Sequence, residues 1–167
     1  MARMAEGLIA ELNQEAETTK RQLSCVPEAK LDWQPHEKSL TLGQLALHIA
    51  TTPGGVADLI SNLSVEHVPF TYPQPGSKKE IMAALEESIA NARAKLGGWD
   101  DEALAAEWKM TSNGNTLMAV PRMAMVRAIM LNHWYHHRGQ LQVYLRLVGE
   151  PVPSVYGPTA DENPFDA

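Results

Sequence analysis

Three of the six histidines, His48, His133 and His137, are spaced so that their ring nitrogens could share one metal ion. His133 and His137 stand four residues apart. In a helix that spacing turns a side chain by only about 40° and lifts it by one turn, so both imidazoles can converge on one point. His48 follows Leu45 by three and precedes Thr52 by four, which places it on the inward side of an earlier helix. Facing helices commonly build metal sites in a bundle core. Neutral imidazole nitrogen suits Zn, Ni, Fe or Cu at roughly 2.0–2.2 Å. A divalent transition metal, Zn or Ni foremost, is the expected cofactor. Three protein ligands leave a position for water or substrate, as in catalytic zinc sites. The same pattern also describes hydrogen-bonded core histidines, because i, i+4 pairs arise by chance in many helices.

The other histidines read differently. His136 points about 100° away from His137 and is expected at the surface or an interface. His36 and His67 lie in loop-like surroundings and are expected to face solvent. A di-iron bundle wants Glu-x-x-His on its helices, but the residues three before the candidate ligands are Leu45, Met130 and Trp134. The HExxH motif, CxxC pairs and Gly-rich phosphate loops are not found. Cys25 beside Val26 and Pro27 has no neighbouring base and reads as a buried, inert thiol. No residue beyond the ligands is assigned a catalytic role.

Four helices must position these side chains. The first runs from about Ala2 to Leu23, with Leu8, Ile9, Leu12 and Leu23 on its apolar side, and Pro27 ends it. The second opens at a capping box, Thr41 with Gln44, and carries Leu42, Leu45, Ile49, Leu59 and Ile60. Pro53-Gly54-Gly55 should kink or break it about one turn after His48. Prolines 69, 73 and 75 make an extended connection between Asn62 and Gly76. The third helix starts at Ser77 with a capping box to Glu80, carries Ile81, Leu85, Ile89 and Leu96, and stops at Gly97-Gly98. From Trp108 to Val120, short segments flank Asn113-Gly114 and predict a hairpin with a primed turn. Pro121 then suits the first turn of a fourth helix running to about Val148 and ending at Gly149. Its inward stripe is traced through Val126, Met130, His133, His137, Leu141, Tyr144 and Val148, with the two histidines at its centre.

Length and composition bound the rest. The 167 residues make one domain, 1–167, whose Pro-rich tail 151–167 either drapes over the bundle or moves freely. A net charge of −6 with no Lys/Arg block argues against nucleic acid as a partner. Glu6, Glu11 and Glu15 interrupt the N-terminal apolar run, which reads as an amphipathic helix and not as a signal peptide. No stretch approaches the ~18 apolar residues of a membrane span. A single cysteine fits a reducing compartment, so the expected location is cytoplasmic.

Asn132 to Glu162, NHWYHHRGQLQVYLRLVGEPVPSVYGPTADE, resembles the closing signature of the DinB family, and Ser39 to Ala50, SLTLGQLALHIA, resembles that family's second-helix motif. With the order of helices, the resemblance covers most of the chain. It implies an all-α, up-down-down-up four-helix bundle, usually dimeric, with a metal on three histidines matching His48, His133 and His137. Met123, Ile129, Leu131 and Trp134, outside the inward stripe, are the candidate apolar residues of a homodimer interface. Some relatives are thiol-S-transferases that use bacillithiol, mycothiol or glutathione, which implies a small-molecule substrate, a thiol. Arg138 could clamp a substrate carboxylate, but structural roles are preferred for the residues after the motif. Those roles are close helix approach for Gly139 and a bond across the bundle for Gln140. The competing readings are a metal-dependent hydrolase and a non-enzymatic, stress-associated metal-binding bundle.

Overall fold

In the computed structural model, residues 4–166 are described. Helix α1 spans Met4–Ser24 and buries Leu8, Leu12 and Leu23, with Ile9 half-buried against the same core. Ala2, where the sequence starts this helix, lies outside the described residues. A single 3-10 turn at Glu28–Lys30 leads towards α2, Leu42–Leu59.

The start of α2 is fixed by a capping box and by backbone bonds to the preceding turn. Thr41 Oγ1 accepts the Gln44 N–H, and Gln44 Oε1 accepts the Thr41 N–H, so the expected capping box is present. The Leu42 and Gly43 N–H groups, otherwise orphaned, donate to Trp33 O and Leu31 O. Gly43 is required by this close approach: a Cβ there would stand 2.7 Å from Gln74 Nε2 and 3.0 Å from Leu31 O.

The helix does not break at Pro53, contrary to the expectation from Pro53-Gly54-Gly55. Proline removes the donor that Ile49 O would have used, and that carbonyl instead accepts the Trp134 indole N–H at 2.9 Å. The next donor, Gly54 N–H, goes to Ser88 Oγ at 2.8 Å. A Cβ at Gly54 would stand 2.8 Å from Ser88 Cα, so this glycine serves a close crossing of α2 against α3, Lys78–Gly98. α3 buries Ile81, Leu85, Ile89 and Leu96 as expected. Its cap departs slightly from a capping box: Ser77 accepts the Glu80 N–H, while the Glu80 carboxylate accepts the N–H of Gly76.

A short helix α4, Asp101–Ala105, capped by Asp100, was not expected and precedes the hairpin. The hairpin itself is present as β2, Glu107–Ser112, and β3, Asn115–Pro121. Asn113 and Gly114 both take positive φ, 50° and 80°, as a primed turn requires. A further strand, β1, Ser64–Glu66, lies within the connection read as merely extended and pairs parallel to β2. The result is a mostly helical protein with a three-stranded sheet ordered β1-β2-β3.

The last helical run changes its winding. A turn at Arg122–Met125 (α5) passes into a π-helical stretch, Val126–Asn132, and then into α6, His133–Leu147. Pi winding puts extra residue into each turn, so the face that leaves the stretch is rotated relative to an unbroken α-helix. The buried line is therefore Val126, Met130, Leu131, Trp134, Arg138, Leu141, Leu145 and Val148. His133, His137 and Tyr144 are half-buried beside that line, and the central placement expected for the histidines is corrected. Leu131 and Trp134, offered as interface residues, are core residues of the monomer, 1% and 0% exposed.

The tail drapes over the helices. Val152 and Ser154 are buried, and Arg146 with Asp161 and Arg21 with Glu162 tie it to α6 and α1. Tyr156 OH meets both Glu15 and Arg138, a buried ion pair joining α1 to α6. Among the described residues no helix is long and apolar enough to cross a membrane.

Candidate metal centre

α2 is buried almost all round, with α3 and the last helix packed against it, and only a narrow line through Gln44, His48, Thr51, Gly55 and Asp58 reaches solvent. His48 lies on that line and not on the inward side that Leu45 and Thr52 suggested. α6 turns its histidines towards the same line. The two half-exposed edges meet, and the three rings converge where the helices face each other.

His133 Nε2 stands 3.1 Å from His48 Nε2 and 3.1 Å from His137 Nε2. One nitrogen from each of the three rings lies within 4.8 Å of the other two, and the ring planes are near perpendicular in every pair. Two nitrogens each about 2.0–2.1 Å from a common point can be up to about 4.2 Å apart, so edges of this length suit ligation of one ion.

Hydrogen bonding alone does not explain the cluster. Gln140 Oε1 lies 2.7 Å from His137 Nδ1, and Gln140 Nε2 lies 3.1 Å from His136 Nε2. With the amide oriented as in the structure, the oxygen accepts from His137 Nδ1–H, and the nitrogen donates to His136. A neutral His137 then carries its proton on Nδ1, and its Nε2 lone pair faces His133 Nε2. No assignment of neutral tautomers gives both 3.1 Å contacts a hydrogen bond of their own, since one ring nitrogen offers either one proton or one lone pair. A cation among the three lone pairs satisfies all of them.

The rings are kept neutral, as ligands must be. Burial pushes the His48 imidazolium down to about 4, reinforced by repulsion from His137 and His133. Burial also lowers His133, with His136 adding repulsion. His137 is lowered by burial too, although its bond to Gln140 pulls the other way.

The surrounding residues hold these rings in place. Gln44, one turn before His48, donates through Nε2 to Tyr72 O, and the Tyr72 ring meets the His48 ring edge-on at 5.3 Å. Gln74 joins the same loop to Thr41 and to Leu31 O. Thr52 Oγ1 donates to His48 O. Tyr72 is 42% exposed, so the aromatic wall of the site borders solvent.

The structure thus brings together the three histidines that the sequence singled out and leaves His136, His36 and His67 exposed, as expected. Gln140 was misread: it orients His137 instead of bonding across the bundle, and its i, i+3 spacing from His137 was the available signal. Gly139 is also corrected, because it is exposed and a Cβ there meets nothing within 4 Å. Arg138 holds the structural role preferred for it, donating to Glu15 and Thr19 in the core. Cys25 is half-buried instead of buried, its thiol directed at Arg21 O.

Comparison with known proteins agrees with this architecture. The model of the DinB family matches residues 1–164. YrdA of Bacillus subtilis (strain 168), described as an uncharacterized protein, is 28% identical over 153 residues, spanning 89% of this chain and 85% of that protein. The crystal structure of a DinB-like protein from Bacillus cereus ATCC 10987 superposes with a TM-score of 0.73 at 27% identity, covering 93% of this chain and all of that one. A DinB-like protein of Bacillus subtilis, YjoA, shares the fold with a TM-score of 0.68 at 19% identity, covering 90% of this chain and 97% of that one.

Proposed function

Because this chain belongs to the DinB family, we propose that it is a metal-dependent enzyme that binds a low-molecular-weight thiol and joins it through its sulfur to an electrophilic small-molecule acceptor, the thiol proton and the acceptor's leaving group departing together. The observation that carries the reading is the convergence of three neutral imidazoles, with 3.1 Å edges, at the half-exposed meeting line of α2 and α6. His48, His133 and His137 would hold the ion, Zn or Ni. A divalent ion bound there supplies a Lewis acid that favours the thiolate over the thiol at neutral pH.

The chain's own residues do the rest. Gln140 fixes the His137 tautomer so that Nε2 is free to ligate, and Thr41, Gln44 and Gln74 fix the loop that carries Tyr72. The Tyr72 ring beside His48 provides an aromatic wall at the solvent border of the site. The three rings are themselves half-exposed, which leaves an approach for a substrate. A cytoplasmic setting, where such thiols are abundant, belongs to the same proposal. So does a homodimer, for which Met123 and Ile129 remain half-buried candidates.

Cobalt(II)-loaded, tag-free protein titrated with glutathione, bacillithiol and mycothiol tests the reading. A sulfur-to-metal charge-transfer band that saturates with one of these thiols, and is lost in His48→Ala, is expected. Metal that raises the melting temperature while no thiol perturbs its spectrum would show a purely structural ion and overturn the proposal.

A further inference from the structure

The segment that carries Tyr72 to the metal centre holds apolar side chains out in solvent. Residues 67–75, between β1 and α3, read His-Val-Pro-Phe-Thr-Tyr-Pro-Gln-Pro, with no charged side chain from Val68 to Pro75. Val68 is 70% exposed, Phe70 71% and Tyr72 42%. Apolar surface gathered in one exposed place marks a binding site more often than an accident of packing.

The segment is held at both ends. His67 N–H donates to Thr111 O at 2.7 Å on the sheet side. On the metal side, Gln44 Nε2 donates to Tyr72 O at 3.0 Å, and Gln74 is bonded to Thr41 and to Leu31 O. Pro69 and Pro73 restrict Val68 and Tyr72 to extended backbone, and no turn interrupts residues 67–75. A surface presented rigidly costs a ligand little ordering when it binds.

This strip starts at the histidines. The Tyr72 ring meets the His48 ring at 5.3 Å, and the Cα of Phe70, two residues earlier, lies at most about 7 Å from that of Tyr72. A molecule whose reacting end is at the three imidazoles can therefore lay its body over Tyr72 and Phe70.

Area and charge decide what covers the strip. An aromatic side chain presents about 150–250 Å², so the exposed parts of these three residues sum to roughly 300 Å². A stable protein interface takes about 800 Å² from each partner, so the strip matches the body of a small molecule instead. It offers no cation to meet a carboxylate, whose burial would then be costly, and its two rings favour a ring on the ligand.

We propose that Val68, Phe70 and Tyr72 bind the uncharged aromatic body of the small molecule that reacts at the metal centre. That this molecule is the acceptor rests on the thiol-transfer reading above.

The first test needs neither metal nor thiol. 4-Fluorobenzyl alcohol, an unreactive aromatic probe, is titrated into chelator-treated, full-length protein and followed by fluorine NMR. Phe70 is largely exposed, so its replacement leaves the core intact. The probe should bind about tenfold more weakly in Phe70→Ser, near wild type in Phe70→Tyr, which keeps a ring, and unchanged in Phe165→Ser, an equally exposed position on the tail. 4-Fluorobenzoate should bind at least about tenfold more weakly than the alcohol. In cobalt-loaded protein the signal of the bound alcohol should broaden strongly, as it must beside a paramagnetic ion. Zinc-loaded protein with a thiol then compares benzyl chloride with chloroacetamide. The sulfur–carbon bond forms as the carbon–chlorine bond breaks, chloride leaves with the bonding pair, and the thiol proton passes to water. The preference for benzyl chloride in kcat/KM should fall about tenfold in Phe70→Ser. Equal probe affinity in wild type and Phe70→Ser, an equal loss in Phe165→Ser, benzoate bound as tightly as the alcohol, or a signal left sharp by cobalt would each overturn the proposal. So would a dimer that Phe70→Ser dissociates, since a second copy would then cover the strip. Probe binding as expected with no thiol band on cobalt would uphold the strip and strike the thiol reading alone.

Discussion

Replacing Gln140 with Leu should weaken metal binding without unfolding the protein. Gln140 is exposed, and its side chain makes two polar contacts, to His137 Nδ1 at 2.7 Å and to His136 Nε2 at 3.1 Å. Only the first bears on the site. Losing the acceptor for Nδ1–H frees His137 to hold its proton on Nε2, where it competes with the metal, and lets the ring rotate. Partners of this kind are worth about 10- to 100-fold in metal affinity, or about 1.4–2.7 kcal/mol. An exposed bond is partly replaced by water, so the lower end, about tenfold, is expected here. Gln140→Glu retains an acceptor for Nδ1–H and should lose little, which separates tautomer control from the mere presence of a side chain. Competition with a chromophoric chelator at pH 7.5 measures the affinities, and circular dichroism checks the fold. Wild-type affinity in Gln140→Leu, or an equal loss in both variants, would refute the reasoning.

Two further outcomes follow from the packing and from the buried imidazoles. Trp134→Phe removes the donor to Ile49 O, the carbonyl stranded by Pro53, and opens space at a fully buried position; a loss of about 2–4 kcal/mol in urea denaturation is expected, and less than about 1 kcal/mol would contradict that role. In metal-free protein His48 titrates near 4 when folded and near its ordinary value of about 6.5 when unfolded. The unfolded chain therefore binds more protons between those values, so stability is retained above about pH 6.5 and falls as the pH drops towards about 4. Urea midpoints recorded across this window in the presence of a chelator should decline in the wild type and decline less in His48→Gln.

Much of this was legible in the sequence because it rests on local chemistry. Thr41 with Gln44, Asn113-Gly114 and the i, i+4 spacing of His133 and His137 each act within a turn or two, and each is present as read. What escaped depends on contacts between distant segments. Pro53 reads as a break until Trp134, far along the chain, supplies the missing donor to Ile49 O and Ser88 takes up Gly54 N–H. The π-helical winding of Val126–Asn132 carries no residue signature, yet it moves the core line onto Trp134 and Arg138 and leaves the histidines at its edge. That displacement leaves the three rings half-exposed instead of sealed in the core. β1 and α4 are too short to build a periodic pattern, and β1 forms only because β2 is there to pair with it.

The central claim is that His48, His133 and His137 hold one ion and that His136 does not. Elemental analysis of folded, tag-free protein loaded with Zn or Ni tests it most directly, comparing wild type with His137→Ala and His136→Ala. The account predicts about one ion per chain in the wild type and in His136→Ala, and almost none in His137→Ala. A His136 variant that loses its metal while the His137 variant keeps it would contradict the ligand assignment.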